Sequence, residues 1–228
     1  MIRLEDVEVA YGRTLALHGV TLELTPGVTG LFGPNASGKS TLLTVLAGLT
    51  RPTTGSATFR GRPIRAADES WRGIVGYAGH EPGLYAGLTV VENLELWAKL
   101  FGASRRRVGE MVEELGLEDR TNTAVGTLSA GFKRRASVAR ALLHEPSVLL
   151  LDEPYANLDD EASELVSAAV VRWRGPERIA VVATHGAKKV KAYADAGIIL
   201  KRGQVVSYRR GAEQQAEQAL SASVVDRA

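Results

Sequence analysis

One stretch, Gly33-Pro34-Asn35-Ala36-Ser37-Gly38-Lys39-Ser40-Thr41, constrains the fold more than any other part of the chain. It fits the pattern G-x-x-x-x-G-K-[ST], which cradles phosphate when a strand enters it and a helix leaves it. Both flanks are present. Gly27-Val28-Thr29-Gly30-Leu31-Phe32 is short and apolar enough for a buried strand. Thr41 to Leu49 carries Leu42, Leu43, Val45, Leu46 and Leu49 at helical spacing. Glycines let the backbone curl until successive N–H groups point inward as an anion nest. The helix start adds unpaired N–H groups and the positive end of its dipole. Lys39 is placed to reach the terminal phosphates, and the Ser40 hydroxyl to take a place on Mg²⁺. This is a nucleotide phosphate site in an α/β fold.

Around it the chain is read in order. Ile2 to Val9 and Leu15 to Leu24 alternate about a turn at Gly12-Arg13, which predicts an antiparallel opening in place of a βαβ unit. Tyr11 closes the first strand. It is either a packing residue at a strand end or a ring for a nucleotide base, and the P-loop that follows favours the base. Turn clusters at 51–56 and 61–63 bracket a short strand at 57–59, and a further strand at 74–77 runs into the loop Ala78 to Gly83. Thr89 with Glu92 forms a capping box, and the helix behind it stops at Gly102. A second helix runs from Ser104 to Gly116, with Arg105-Arg106-Arg107 on a solvated face. Residues 88–143 therefore read as a helical subdomain inserted into the core. The continuous apolar runs Val148 to Leu151 and Ile179 to Ala183 suit strands covered on both faces. A helix at 161–173, another near 187–193 and a strand at 198–200 complete the domain at about residue 208. The stretch 209–228 is a loose helix or a disordered tail and carries no assigned function.

Composition excludes several classes. A formal net charge of +2 gives no argument for nucleic acid, and the chain has no cysteine for disulfides or thiolate metal sites. No apolar run approaches the roughly 18–20 residues that cross a bilayer, and the charged start has no signal-peptide core. Membrane work would need a separate spanning subunit.

Four further motifs carry chemistry. The run Val148 to Leu151 ends in Asp152-Glu153-Pro154. An aspartate at the end of a buried strand beside a P-loop suits Mg²⁺, directly or through water. Glu153, pointing the other way along the pleat or turning out of the strand, is placed to orient and deprotonate an attacking water. Leu128-Ser129-Ala130-Gly131-Phe132 opens a helix with a serine cap, a second anion site with no nucleotide of its own. That oddity is where the chain resembles the nucleotide-binding domain of the ATP-binding cassette (ABC) family, whose signature usually reads L-S-G-G-Q. Ala130 and Phe132 depart from it. The resemblance spans residues 1–208. It implies an ABC ATPase fold, with a P-loop core on a mixed or parallel sheet, an N-terminal antiparallel β-subdomain and the inserted helices. It also implies ATP and Mg²⁺, and a head-to-tail pair in which Ser129, Ala130 and Gly131 of one copy cap the ATP of the other. Tyr11 matches the base-stacking aromatic, Asp159 a residue through which the two halves communicate, and His185 the histidine that contacts the γ-phosphate.

The family's glutamine after the strand at 74–77 is replaced, by position, with His80. Imidazole is a softer ligand than Mg²⁺ prefers, so His80 is expected to act through water while Ser40, Asp152 and phosphate hold the ion. The run Gly79 to Tyr85 with Leu88 to Leu94, together with Leu128-Ser129-Ala130-Gly131 followed by basic residues, is similar to the ATP-binding subunit of haem exporters of cytochrome c maturation. The expectation is thus an ATPase at the cytoplasmic membrane face, peripheral, working on transmembrane permease subunits as a homodimer. The alternative is an ATP-driven assembly or release factor that moves no cargo. A P-loop kinase would not need the Ser129 helix start, and no Asn-Lys-x-Asp run reads guanine. A DNA-repair or translation cassette would need a long coiled coil or a second P-loop.

Overall fold

The computed structural model describes residues 1–65 and 68–211, so most of the expected tail at 209–228 lies outside the described residues. Strands β1 (Ile2–Tyr11) and β2 (Thr14–Leu24) pair antiparallel, and β1 pairs again with β4 (Thr54–Phe59). With the short β5 (Arg62–Pro63) they form a four-stranded sheet of order β2-β1-β4-β5. Residues 62–63, read as a turn, pair instead at its edge, where a proline without an N–H is tolerated. A further short helix, α2 (Glu69–Arg72), has no periodicity to announce it. It is capped by Asp68 and buries Trp71 against Phe59 at 5.2 Å between ring centres.

The second sheet has the order β10-β9-β3-β8-β7-β6. Its strands β6 (Val75–Ala78), β7 (Val148–Asp152), β8 (Ile179–Ala183), β3 (Gly27–Phe32) and β9 (Ala196–Lys201) run parallel. Only β10 (Gln204–Arg210) is antiparallel, and it carries the sheet two residues past the expected limit at 208. The side-chain period of two sorts this sheet between two cores. Val148, Leu150, Ile179 and Val181 face the antiparallel sheet and helix α1 (Lys39–Leu46). Leu149, Leu151, Ala180 and Val182 face the helical layer. That layer comprises α3 (Val90–Phe101), α4 (Arg105–Glu114), α5 (Ala130–Leu142) and α6 (Asp160–Trp173). Buried on both faces, these strands are uninterrupted apolar runs, as such strands must be.

Parallel pairing has one consequence for function: it sends all the strand ends to the same edge. Leu31 of β3 is opposite Ala183 of β8, and Asp152 of β7 is opposite the same Ala183. The P-loop, the Asp152-Glu153 pair and His185 each begin where one of these strands stops. The capping box expected at Thr89 is present, with the Thr89 N–H donating to Glu92 at 2.8 Å, and α3 ends on left-handed Gly102. Helix α7 (Ala187–Lys191) follows His185.

Candidate functional site

The P-loop is a backbone construction wedged between two strands. Gly33, Ala36 and Gly38 all have positive φ, at 153°, 59° and 103°. A Cβ on Gly33 would sit 2.2 Å from the Leu200 carbonyl oxygen, and one on Gly38 would sit 2.7 Å from that of Ala16. Both glycines are therefore required by close approach as well as by conformation. Helix α1 starts at Lys39, earlier than the apolar spacing suggested, and has no side-chain cap. Its first N–H groups remain open, which is what an anion site at a helix start needs. The turn Arg202-Gly203 locks the loop from outside: Gly203 N–H donates to Ser37 O at 2.8 Å, and His18 N–H donates to Gly203 O at 2.9 Å.

Lys39 is buried, and its Nζ donates to the carbonyls of Gly33 (2.8 Å) and Pro34 (3.0 Å), so one of its three N–H donors remains free. Burial pulls the ammonium pKa below its ordinary value, while the charges of Glu153 and Asp152 oppose the shift. Asp152 is 2% exposed, and its Oδ2 has no hydrogen-bond partner. An orphaned carboxylate oxygen that deep is costly unless a cation completes it. A hydroxyl (Ser40), a carboxylate (Asp152) and substrate phosphate are the hard oxygen donors that Mg²⁺ takes when it is not caged by protein. Among the described residues there is no group of three or more His, Cys, Asp or Glu that could hold a metal ion. The residues present fit Mg²⁺.

Glu153 is turned out of β7 by a positive φ of 49°, so of the two orientations open in the sequence the chain takes the second. Its carboxylate accepts from His185 N–H at 3.0 Å and Thr184 Oγ1 at 3.1 Å, and meets His185 Nδ1 at 2.9 Å. This pairing joins residues 32 apart in sequence. Nothing local announces it, although the equal lengths of β7 and β8 would allow it to be inferred once those strands are known to be neighbours.

One cleft of about 690 Å³ is lined by Tyr11, Asn35 through Thr41, His80, Asp152, Glu153 and His185. Tyr11 is 55% exposed, a large ring facing open space at the cleft mouth. Gly33 and Pro34 do not line it; their carbonyls hold Lys39 Nζ. Thr14, Ala16, His18, Arg202 and Gly203 also line the cleft, and beyond a turn at 202–203 no motif marks them. Ser129, Ala130 and Gly131 do not line it. Ser129 and Ala130 are exposed at the start of α5, with Ser129 Oγ accepting from Phe132 N–H at 3.4 Å. Gly131 lies against the 155–159 loop, where a Cβ would meet the Asn157 carbonyl at 2.8 Å. Asp159 in that loop caps α6, accepting from Ala162 N–H at 2.8 Å.

Comparison with known proteins gives a consistent result. A family model described as ABC transporter matches residues 17–156. The chain is 32% identical over 208 residues to the Nod factor export ATP-binding protein I of Rhizobium sp. (strain N33), covering 89% of this chain and 68% of that one. It is 31% identical over 204 residues to the ABC transporter ATP-binding protein NatA of Bacillus subtilis (strain 168), with 87% and 82% covered. It is 29% identical to the linearmycin resistance ATP-binding protein LnrL of the same organism, with 91% and 68% covered. Among solved structures, a dimeric ATP-binding cassette in a post-hydrolysis state bound to ADP and Pi matches with a TM-score of 0.83. The identity is 27%, with 92% of this chain and 98% of that one covered.

Proposed function

The chain belongs to the ABC transporter family as an ATP-hydrolysing cassette, and from that premise we propose that it drives a separate membrane-spanning subunit by closing head to tail on a second copy of itself. The observation that carries this reading is the separation of two anion sites. The P-loop lies in a cleft with Asp152, Glu153 and His185, whereas the helix start at Ser129 is exposed and takes no part in lining that cleft. A second copy supplies what each lacks.

In this reading Tyr11 stacks on the adenine, residues 33–41 cradle the phosphates, and Lys39 turns its free donor to the terminal ones. Ser40 and Asp152 would hold Mg²⁺, with His80 reaching the ion through water. Bound Mg²⁺ would neutralise charge developing on the transferred phosphoryl group. Glu153 takes the proton of the attacking water, in a carboxylate fixed by Thr184 and His185, and His185 borders the γ-phosphate. Ser129, Ala130 and Gly131 of the second copy close the site, with Asp159 beside them at the start of α6. Catalysis is mostly positioning and charge stabilisation.

Membrane work falls to a partner, since no helix among the described residues is long and apolar enough to cross a membrane. The position we propose is peripheral, on the cytoplasmic face. Relatives named for Nod factor export and linearmycin resistance support an export system. Haem export rests on the runs Gly79–Tyr85 and Leu88–Leu94 with the Leu128–Gly131 helix start, and none of those relatives is named for it. An assembly factor that moves no cargo would use the same cleft, and cargo flux with the co-purified membrane subunit separates the two. ATP hydrolysis by the purified chain beside Glu153→Gln, with size-exclusion chromatography in Mg-ATP, tests the motor itself. We expect wild-type turnover and an inactive, dimeric variant. A variant that binds ATP and stays monomeric would refute closure.

A further inference from the structure

The helix that begins at Ser129 does not only present its N-terminus outward. Five residues on, Arg134 is 8% exposed, and its guanidinium turns inward toward this chain's own cleft. It donates to Gly79 O at 2.7 Å, to Asp152 O at 3.3 Å and to His80 O at 3.4 Å. One side chain thus joins α5 to the end of β7, which carries Asp152, and to the loop that carries His80. Two more residues on the same helical face continue the seam. Ser137 Oγ donates to Pro82 O at 2.8 Å, and Arg140 donates to Tyr77 O at 2.5 Å. At positions i, i+3 and i+6 these three side chains lie in one row. The row fastens the end of β6 and the loop after it, Tyr77–Pro82, to α5.

The chemistry at Arg134 is unusual for mere packing. Burial lowers its pKa from the ordinary arginine value, and the charges of Asp152 and Glu153 act against that shift. Yet among the described residues its hydrogen-bond acceptors are backbone carbonyls, with no carboxylate side chain paired to it directly. A buried guanidinium is a costly way to hold a helix on a sheet, and an apolar side chain of like volume often holds as well or better. Its planar fork does what an apolar group does not: it spans two separate backbone segments at once.

We propose that Arg134 is a positioning residue that couples the two nucleotide sites of the dimer through one chain. This rests on the head-to-tail reading above. When Ser129 of a given copy engages its partner's ATP, α5 shifts, and Arg134 carries that shift to the same copy's Asp152 and to its His80 loop. Occupancy of the partner's site then tunes the geometry of this one. Coupling of this kind is reciprocal in binding, so it reads out as cooperativity in ATP.

Arg134→Met removes the fork while keeping the volume. We expect its melting temperature to stay within about 4 °C of wild type and nucleotide affinity of the monomer to stay within about twofold. The Hill coefficient for ATP should fall from above about 1.5 to about 1, as the second site loses the roughly 5- to 150-fold gain in affinity ordinary for coupled sites. Arg134→Lys, which keeps the charge but not the fork, should behave like the methionine variant. An unchanged Hill coefficient in a folded variant overturns the proposal. A wild-type chain that never dimerises would instead remove the head-to-tail reading beneath it, a distinguishable result. Amide exchange on the unmodified chain needs no variant. Residues 77–82 and 129–134 should gain protection together over one range of ATP concentration, and protection of one without the other overturns the coupling.

Discussion

Two helices in this molecule begin at the places proposed above to hold phosphate, and they are built in opposite ways. Helix α1 starts inside a cleft, behind glycines whose Cβ atoms would collide with Leu200 and Ala16, with a buried cation as its first residue. Its N–H groups have no side-chain competitor. Helix α5 starts on the surface behind an ordinary serine cap, with Ser129 and Ala130 exposed and basic residues following. The first is a site that one chain completes as far as substrate. The second has the chemistry of an anion site without the walls. On the head-to-tail reading, the difference teaches that the unit of function is larger than the chain, because desolvation strengthens a charge contact and the start of α5 is exposed to water.

Breaking the deep side should cost most. Glu153→Gln keeps the shape of the cleft but removes the base, so turnover should fall by about 10²- to 10⁴-fold with ATP still bound. Steady-state phosphate release and equilibrium nucleotide binding check the two halves of that statement. On the surface side, Ser129→Arg should leave ATP binding by the monomer within about twofold, because Ser129 touches no part of its own cleft. It should nevertheless lower turnover at least about 10²-fold, like the loss of donors to developing charge elsewhere. If turnover survived, α5 would not be part of a site at all. Tyr11→Ala sharpens the comparison at the mouth of the cleft. Losing one aromatic platform under a base is worth about 1–3 kcal/mol, seen as a raised KM for ATP with kcat little changed. The smallest effect is expected at His80. If the imidazole acts through water, His80→Gln at saturating Mg²⁺ should keep turnover within about threefold, since one water-mediated contact replaces another. Abolished activity would place His80 directly on the ion.

How far the site could be read in advance depended on whether its parts were local. The P-loop and Asp152 are local: a strand, a turn and a helix, or a strand and its last residue, carry their own signal. The Glu153–His185 pair is not, because only the register of β7 on β8 brings it together. Strand β10 does not announce itself because Val206 and Tyr208 are exposed along with Gln204, Arg209 and Arg210, so no apolar face alternates with a polar one. Helix α2 is a single turn, too short for periodicity, and owes its place to Trp71 on Phe59. Arg134 was hardest of all. In sequence it belongs to a basic helical stretch, and only the carbonyls waiting at Gly79, His80 and Asp152 explain why it turns inward.

The central claim is that one working site takes its two halves from two copies, and mixing tests it most directly. In a Glu153→Gln background, a Lys39→Ala chain lacks the deep half and a Ser129→Arg chain lacks the surface half. Neither alone should retain ATP as a dimer through gel filtration. Mixed together, they reconstitute one composite site, so the account predicts a mixed dimer holding one ATP. A mixture that behaves as the two parents do, while the Glu153→Gln chain alone dimerises normally, would contradict it.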